Sequence, residues 1–450
     1  MNIGEQIILN IEKLGNQGIG IAKKDGFVVF VNNVCPGDVV KVKVEKIKKN
    51  YAQASLSEII SPSQYRTKPF CPMQKVCGSC QLQFIDYEYQ LKLKQQIVKE
   101  AISSIGGIGI DIPQVVPSPE VKNYRCKVQY PVSQTKNSKR IIAGYYKPKS
   151  HEIINIKYCP IQPVICDEII EYIRNNAALF NVSGYDETKS AGLLRHVVIR
   201  HSDYSDKNLV VLIINSEKCP GSIKELASSI YNNFDSVSGV SVNYNLKKTN
   251  VIFGLKTESI VGVDFIEEKL ADKIFYVGAD TFFQVNPKSA NNIFNYVKSY
   301  IKDNFNEPDV LDAYAGISTF GICVSEVSSN VVSIEENLRS VDLAKKSSQF
   351  NNVTNIEIHG GDAAEFFANE KRKFDVVILD PPRKGCSEQS LGNALKLCKD
   401  TIIYVSCNPA TLARDLRFLV SKGCKVESIQ PFDMFCHTYH VENVAVIKVK

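Results

Sequence analysis

The sequence predicts an α/β protein that begins with a small β-barrel and ends in a doubly wound parallel sheet. Beyond residue 288, uniformly apolar strands alternate with helices, which is typical of a parallel sheet covered on both faces. Residues 1–60 instead carry short alternating runs broken by Gly and Pro-Gly turns, the spacing of a five-stranded barrel. A chain of 450 residues, 44% of them hydrophobic, is also too long for a single core.

The predicted barrel has a basic edge. Lys41 and Lys43 alternate with valines, and Lys46, Lys48 and Lys49 follow them. Such an edge is a suitable surface for RNA phosphates. The alternative is a solvated charged edge that discourages aggregation, and the pattern alone does not separate the two.

The middle of the chain is predicted to mix helices and strands. Residues 61–70 form a linker, and apolar residues at helical spacing predict a helix over residues 86–105 that stops at Gly106-Gly107. Further on, RCKVQYPVS and LVVLIIN are predicted strands, and VICDEIIEYIRNNAALF is a predicted helix. This pattern assigns the region a mixed α+β fold and no function.

The C-terminal part alternates regularly. SANNIFNYVKSYIKDN and SVDLAKKSSQFNN are predicted helices, and the predicted strands are DVLDAYAG, NVVSIEEN, NIEIHGGD, FDVVILDPPRKG and TIIYVSCNP. In an open parallel sheet, ligands bind at the carboxyl ends of the strands. Functional residues are therefore expected in the turns that follow these strands.

Composition narrows the class of protein. The net charge of +6 permits a polyanionic partner without requiring one. Glu5 and Glu12 interrupt the N-terminus, so it does not resemble a signal peptide, and no stretch approaches the roughly eighteen apolar residues of a membrane span. Fourteen cysteines in 450 residues are too few for a disulfide scaffold, so a cytoplasmic protein with reduced thiols is expected.

Acidic residues follow several of the predicted strands. Asp312 and Gly316 come after the first strand, Glu335 ends the second, Asp362 follows the third, and Asp380 follows the fourth. A carboxylate in the position of Glu335 binds the two hydroxyls of a ribose. The arrangement favours a nucleoside cofactor site over a purely structural role.

Several of these motifs resemble one enzyme family. The segments DAYAG, LDPPRKG, YVSCNPATLARDL, DTFFQVNP and HVENV, with Glu335, match in order and spacing the S-adenosylmethionine-dependent RNA uridine-5-methyltransferases. The resemblance covers essentially the whole chain, because the N-terminal barrel resembles the OB-like TRAM module of these enzymes. It implies a TRAM-like RNA-binding barrel over 1–60, a central RNA-binding domain over 61–270, and a Rossmann-like methyltransferase domain over 271–450.

The resemblance also implies an S-adenosylmethionine site. Asp380 is expected to face the uracil edge as well as the cofactor, and Thr319 and Asp362 match less constrained positions. Phe282 and Phe283 are either stacking residues or part of the core. Six residues match positions that bind the cofactor: Gln284, Tyr314, Thr319, Glu335, Asp362 and Asp380.

Cys407 and Glu442 are the expected catalytic residues. Carbon 5 of uracil is a poor nucleophile toward a methyl sulfonium, and a thiolate that adds to carbon 6 makes carbon 5 nucleophilic. Cysteine suits this step because it both attacks and leaves readily. The proton on carbon 5 must then be removed, and Glu442 is the expected general base. The alternative for Glu442 is an ordinary surface glutamate.

Four further cysteines are expected to hold a metal group. Cys71, Cys77 and Cys80 are spaced x5 and x2, and Cys159 follows in IKYCPIQ. Four thiolates suit either tetrahedral zinc or an iron–sulfur cluster. A 4Fe-4S cluster is expected, because CGSCQLQ resembles the family's cluster motif and the x5 spacing differs from zinc ribbons. The spacing also differs from that of radical enzymes, so a structural or RNA-facing role is expected.

Other polar residues have two possible roles. His437 and His440 lack a third ligand, so local hydrogen bonding is expected in place of metal binding. The other nine of the fourteen cysteines are expected to be packing residues. Four residues of the middle region either contact RNA phosphates or form structural ion pairs: Arg125, Arg195, His196 and Arg200.

The expected function is methylation of carbon 5 of a uridine splayed out of structured RNA. Ribosomal 23S RNA is the expected substrate, because the barrel and the cysteine motif resemble the ribosomal branch, and transfer RNA is the alternative. One rival is an RNA cytosine-5-methyltransferase, which usually places its cysteine directly after a DPP-type turn, where this chain has Arg383. The other rival is a catalytically silent RNA-binding protein. No membrane association and no obligate protein partner are expected.

Overall fold

The structure is a computed structural model that describes residues 1–135, 138 and 140–449. The N-terminal barrel has strand order β1-β5-β6-β4-β3-β2. It contains six strands and not the expected five, because the first strand breaks at Ile11 and Glu12. Their amides donate to Asp38 and Ile21, so the break carries the chain from one sheet edge to the other. The strands are β1 (Gln6–Asn10), β2 (Lys13–Leu14), β3 (Gly20–Lys24), β4 (Phe27–Val31), β5 (Val39–Ile47) and β6 (Tyr51–Ser61).

A long helix, α1 (Tyr87–Ser104), precedes a seven-stranded central sheet of order β13-β12-β11-β10-β7-β8-β9. Two helices, α2 (Val164–Asn176) and α3 (Gly221–Asn233), cover one face of this sheet and pack on Val128 and Val197. The strands are β7 (Lys127–Gln134), β8 (Ile141–Tyr146), β9 (Ile153–Asn155), β10 (Leu194–Ser202), β11 (Lys207–Ile214), β12 (Val237–Tyr244) and β13 (Lys256–Gly262).

The opposite face of the central sheet meets a β-hairpin. This hairpin consists of β14 (Phe265–Leu270) and β15 (Lys273–Gly278), and β14 packs against β10, β11 and β12. Val198 and Val211 of the sheet share one hydrophobic core with the hairpin. The central sheet is therefore joined to the C-terminal part of the molecule by buried apolar contacts.

The C-terminal sheet has strand order β18-β17-β16-β19-β20-β22-β21. The five strands from β18 to β20 are parallel, whereas β22 runs antiparallel to both of its neighbours. Its strands are β16 (Asp309–Ala313), β17 (Asn330–Glu335), β18 (Ile356–Gly360), β19 (Phe374–Leu379), β20 (Cys398–Ser406), β21 (Lys425–Phe432) and β22 (Glu442–Lys448). Its helices are α4 (Pro287–Asn304), α5 (Thr319–Val324), α6 (Leu338–Phe350), α7 (Ala363–Asn369), α8 (Glu388–Leu397) and α9 (Pro409–Ser421).

Successive residues of these strands enter separate cores on the two faces of the sheet. Val310 and Val376 belong to one core, and Leu311 and Val377 belong to the other. The predicted doubly wound α/β fold is therefore confirmed, since the four parallel strands β16, β17, β19 and β20 are buried on both faces and only the edge strand β18 is not. The expected boundaries 1–60, 61–270 and 271–450 stay predictions. Within the described residues, no helix is both long and apolar enough to cross a membrane.

Candidate active site

The turn after β16 holds three residues with positive φ: Tyr314 (62°), Gly316 (58°) and Ser318 (57°). This conformation costs a residue other than glycine about 1–2 kcal/mol, so neighbouring contacts must hold the turn in place. The amide of Gly316 donates to Oε2 of Glu335 at 2.8 Å. The ends of β16 and β17 are thereby tied together, with the Glu335 carboxylate facing the turn.

Asp312 lies beneath this turn and is fully buried. Its Oδ2 accepts from the Gly321 amide at 2.8 Å and from Ser333 Oγ at 3.4 Å. Oδ1 has no hydrogen-bond partner within the described part of the chain. Burial raises the pKa of Asp312 to about 7, and the charge of Asp380 adds to the shift. Asp312 thus anchors the start of α5 to the sheet.

A cavity of about 600 Å³ opens at these strand ends. Tyr314, Glu335 and Asp362 line it, together with Ile334 and Ala363. Its volume is in the range of small-molecule sites, so the structure brings half of the predicted cofactor set together. The other three predicted members lie outside the lining that the described residues form: Gln284, Thr319 and Asp380.

The polar groups of this cavity suit a ribonucleoside. Glu335 already accepts from the amides of Gly316 and Asn337, each at 2.8 Å, and a carboxylate accepts further hydrogen bonds from hydroxyl groups. Asp362 caps α7 by accepting from the Glu365 amide at 2.9 Å. The aromatic ring of Tyr314 supplies an apolar surface for a base. Acceptors beside an aromatic ring are what an adenosine group requires.

Gln284 lies in the loop between β15 and α4. Two contacts hold this loop against the central sheet, because the Cys126 amide donates to the Val285 carbonyl at 2.7 Å and Arg200 donates to the Thr281 carbonyl at 2.6 Å. The neighbouring phenylalanines differ, since Phe283 is buried in the core whereas Phe282 is 61% exposed. Of the aromatic pair, only Phe282 is free to stack on a ligand.

Cys407 lies directly after β20, in the turn that begins α9. Asn408 caps this helix by accepting from the Ala410 amide at 3.1 Å, and Pro409 opens its first turn. The pairing of β20 with β22 sets Ser406 opposite Asn443, so the next position outward pairs Cys407 with Glu442. Side chains at opposed positions of antiparallel strands are neighbours on the same face. The register therefore brings the thiol and the carboxyl group together.

The two groups interact electrostatically. Burial raises the pKa of Cys407 to about 11, and the charge of Glu442 adds to the shift. Burial also raises the pKa of Glu442 to about 8, with a further contribution from Asp380. Desolvation raises the pKa of Asp380 itself to about 7. Glu442 is only 6% exposed, so the alternative of a surface glutamate is wrong.

Arg383 is a member of this group that the sequence interpretation did not assign. Its positive charge opposes the burial effect on the pKa of both Cys407 and Glu442. Its carbonyl accepts from Asn408 at 3.4 Å and from Thr411 at 3.3 Å, which joins the two turns. In the sequence, the feature that could have indicated its role is the position of this cation immediately after the two prolines that follow β19.

A buried network holds the segment that leads into Glu442. Lys94 of α1 bonds to Asp433 at 2.6 Å, and both side chains are fully buried. Tyr87 donates to the other oxygen of Asp433 at 2.9 Å, and Gln90 contacts His437 at 3.3 Å. This network was not predicted, because a lysine within an amphipathic helix carries no sequence signal for burial.

The histidines of this segment make local contacts. His437 Nε2 lies 3.0 Å from the Val121 carbonyl and Nδ1 lies near Gln90, so the predicted local hydrogen bonding is confirmed for His437. Burial lowers the pKa of His437 and of His440 to about 4. Both rings are therefore neutral near pH 7.

The four predicted metal-ligand cysteines, Cys71, Cys77, Cys80 and Cys159, line one small cavity of about 20 Å³. Burial raises the pKa of Cys80 and of Cys159, and the neighbouring cysteines add to both shifts. In residues 1–135, 138 and 140–449, no group of three or more His, Cys, Asp or Glu side chains is placed to hold a metal ion. The described residues therefore contain no preformed metal site, and both the expected cluster and the zinc alternative stay predictions.

Two of the basic residues of the central sheet bind backbone carbonyls. Arg195 donates to Asn245 at 2.5 Å and to Lys247 at 2.9 Å, and Arg200 donates to Thr281. Their structural contacts are therefore hydrogen bonds to the main chain and not the expected ion pairs.

Comparisons with known proteins cover the whole chain. Residues 243–450 match the family model described as tRNA (Uracil-5-)-methyltransferase, and residues 2–57 match the TRAM domain. An uncharacterised RNA methyltransferase of Halalkalibacterium halodurans is 36% identical over 100% of this chain and 98% of that protein. Another, of Clostridium tetani, is 37% identical over 98% of this chain and 95% of that protein.

One solved structure is similar throughout. It is the Pyrococcus abyssi tRNA (uracil-54, C5)-methyltransferase in complex with S-adenosyl-L-homocysteine, with a TM-score of 0.78 and 27% identity. The alignment covers 98% of this chain and 100% of that one. The similarity therefore includes the barrel, the central sheet and the C-terminal sheet.

Proposed function

The chain belongs to the S-adenosylmethionine-dependent RNA uracil-5-methyltransferases, and on this premise we propose that it methylates carbon 5 of a uridine through a covalent adduct with Cys407. It is an enzyme that uses S-adenosylmethionine and acts on RNA, and its N-terminal barrel is a TRAM domain. The observation that supports the mechanism most directly is the register of β20 and β22, which sets Cys407 beside Glu442.

In the proposed reaction, the Cys407 thiolate bonds to carbon 6 of a uracil turned out of its stack. The double bond between carbons 5 and 6 opens, and its electron pair makes carbon 5 nucleophilic. When bound, S-adenosylmethionine supplies the electrophilic methyl group that carbon 5 takes up. The Glu442 carboxylate then removes the proton of carbon 5, and the released electron pair restores the double bond and expels the thiolate.

The cofactor set is proposed to divide into two groups. Tyr314, Glu335 and Asp362 hold the adenosine part in the cavity, with Glu335 accepting from the ribose hydroxyls. This assignment is supported by the free acceptor capacity of Glu335 and its position at the strand end. A Glu335→Ala variant is expected to bind S-adenosylmethionine at least tenfold more weakly in calorimetry.

The remaining predicted members are proposed to act at the methyl end and the uracil. They are Gln284, Thr319 and Asp380, of which Asp380 is electrostatically coupled to both Cys407 and Glu442. If this is right, Asp380→Asn lowers kcat more than it weakens cofactor binding.

The nucleophile is tested with Cys407→Ala and RNA containing 5-fluorouridine. Wild-type enzyme should form an adduct that survives denaturing electrophoresis, because fluorine replaces the proton that must leave carbon 5. Cys407→Ala should form none and should lose methylation, whereas Cys424→Ala, which changes a buried cysteine just before β21, should behave as wild type. An adduct on another cysteine contradicts the proposal, as does unchanged cellular methylation, which the silent RNA-binding alternative predicts.

The base is tested with Glu442→Gln and ordinary uridine RNA. Methyl transfer is expected to proceed, but the adduct should accumulate because the proton on carbon 5 is not removed. Nucleoside analysis of the digested RNA separates the remaining rival, since methylcytidine without methyluridine would establish a cytosine-5-methyltransferase.

Ribosomal 23S RNA is the proposed substrate, and transfer RNA is the alternative. The resemblance of the barrel and the cysteine motif to the ribosomal branch supports the first, while the similarity to the Pyrococcus abyssi enzyme, a tRNA methyltransferase, favours the second. Mapping methyluridine in both RNAs from cells with and without this protein decides between them. No obligate protein partner is proposed.

We also propose that Cys71, Cys77, Cys80 and Cys159 hold a 4Fe-4S cluster. Four soft thiolate ligands that line one cavity support this, and a multinuclear cluster needs its ligands farther apart than a single ion does. The cluster would tie residues 71–80 to Cys159, and no reaction step is assigned to it. Anaerobically isolated protein should contain iron and acid-labile sulfide in equal amounts, and Cys80→Ser should lose both. Zinc without iron would refute the cluster.

A cytoplasmic location is proposed as well, because the thiols that hold such a cluster must stay reduced.

A further inference from the structure

A second groove lies on the central sheet, apart from the cavity at the C-terminal strand ends. Its volume is about 540 Å³. Gln129 and Pro131 of β7 and His196 of β10 line it, together with the turn at residues 145–151 and Gly78-Ser79 of the cysteine segment. The proposed reaction uses none of these residues.

His196 is the group in this groove that lacks a partner. Its side chain is only 9% exposed, and its Nδ1 makes no hydrogen bond within the described residues. Burial lowers the pKa of His196 to about 4, so the neutral ring has one donor and one acceptor nitrogen. A buried polar atom without a partner is unfavourable. Nδ1 itself is enclosed by protein, so a ligand in the groove would meet the ring at the part that lines the groove.

The rim of the groove adds aromatic and basic groups. Tyr145 and Tyr146 line it beside Lys149, and Lys149 also lines a larger groove of about 850 Å³ between the barrel and the cysteine segment. Aromatic rings, a cation and an unpaired polar group together are typical of sites that bind a splayed nucleobase and its phosphate. Lys149 therefore lies between the two grooves.

The sheet face that carries His196 also leads toward the candidate active site. In the register of β7 and β10, His196 opposes Pro131 and Arg200 opposes Lys127, so these residues lie on the face away from α2 and α3. Four residues along an antiparallel strand span about 14 Å. Arg200 at the far end contacts the loop of Gln284.

We propose that this groove binds a nucleobase of the substrate RNA a few nucleotides away from the target uridine. His196 hydrogen-bonds to the base edge, and Tyr146 supplies stacking surface. This inference rests on the proposed function, because it assumes that the RNA whose uridine reaches Cys407 also lies along this face of the sheet.

The test is a scan with abasic RNA. The probe is an unmodified RNA hairpin containing the uridine mapped in cellular RNA, with one abasic nucleotide introduced at each position in turn. Binding is measured by filter retention with S-adenosylhomocysteine present. One position other than the target should lower wild-type affinity by about 5- to 150-fold, the range of a stacked base. His196→Ala should bind intact RNA more weakly than wild type, by a similar factor. The abasic nucleotide at that one position should then cause no further loss of affinity in this variant.

Lys224→Ala is the matched control, because Lys224 is exposed on α3, which covers the opposite face of the sheet. It should keep the full wild-type sensitivity to every abasic position. Gln129→Ala, at the side of the groove, should repeat the His196→Ala pattern in case His196→Ala is poorly folded. The thermal midpoint and the affinity for S-adenosylmethionine should stay unchanged in both groove variants.

The inference is wrong if the groove variants lose affinity at each abasic position as wild type does, or if they bind intact RNA as wild type does. Its failure is distinct from failure of the proposed function. Methyluridine formation by wild type with no coupled position refutes the groove alone. A coupled position without methyluridine formation refutes the proposed reaction alone.

Discussion

Replacing Arg383 by Gln should raise the pKa of the Cys407 thiol. The positive charge of the guanidinium group opposes the burial that puts this pKa at about 11. A nearby opposite charge shifts a pKa by about 1–3 units, and solvent screening of the exposed Arg383 side chain puts its effect at the low end, about one pKa unit. The thiolate fraction at a fixed pH should therefore fall about tenfold.

The assay is alkylation of the ligand-free enzyme by iodoacetamide between pH 7 and 11, followed by mass spectrometry of the peptide that contains Cys407. Only the thiolate reacts, so the rate at pH 8 should be about tenfold lower in Arg383→Gln than in wild type. Lys384→Gln removes a neighbouring exposed charge that has no effect on the thiol, and it should alkylate as wild type does.

Glu442→Gln should act in the opposite direction. The ionised carboxylate raises the pKa of the thiol, and Glu442 itself ionises with a pKa of about 8. Faster alkylation than in wild type is therefore expected above about pH 8 and not below it. If Arg383→Gln reacts at the wild-type rate or faster, the guanidinium group does not stabilise the thiolate and the reasoning fails.

Three further variants test the supporting structure. Lys94→Met leaves Asp433 buried without its counter-charge and should destabilise the protein by about 3–5 kcal/mol. Adding Asp433→Asn should recover part of this stability. Thermal unfolding and hydrogen exchange of the segment before β22 measure both effects. Because the pKa of Asp380 is raised to about 7 in the folded state, its contribution to stability should fall as pH rises from about 4 to about 7, where only the unfolded chain ionises. Asp380→Asn should thus flatten the decline of Tm over that range, and an unchanged slope would contradict it. Gly321→Ala would place its Cβ 2.3 Å from Ser333 Oγ and should weaken S-adenosylmethionine binding about tenfold by displacing α5, whereas wild-type affinity in calorimetry would show that the helix adapts.

The parallel strands β16, β17, β19 and β20 were predictable because they are buried on both faces. Val310 and Leu311 belong to opposite cores, so the strand reads as one apolar run in the sequence. The place of β22 between β20 and β21 was not predictable, since periodicity does not encode which distant strands pair. The break in the first barrel strand was missed for a similar reason, because it depends on hydrogen bonds from Ile11 to Asp38 and from Glu12 to Ile21.

The residues of the candidate site likewise include some that the sequence predicted and some that it did not. Acidic residues at strand ends were found because their position along the chain is itself the signal. The pair of Lys94 and Asp433 joins residues 339 positions apart, and nothing near Lys94 in the sequence marks it as buried. Arg383 and the unpartnered ring of His196 likewise depend on which segments meet in three dimensions.

The order of strands in the C-terminal sheet has a consequence for synthesis of the protein. β22 enters between β20 and β21 although it follows both in the chain. The residues that line the candidate cofactor cavity end at Arg414, so all of them are synthesised while the edge of β20 is still unpaired. The proposed nucleophile is then without the strand that positions it and without its proposed base. The strand that carries Glu442 is thus the last part of the candidate site to be synthesised.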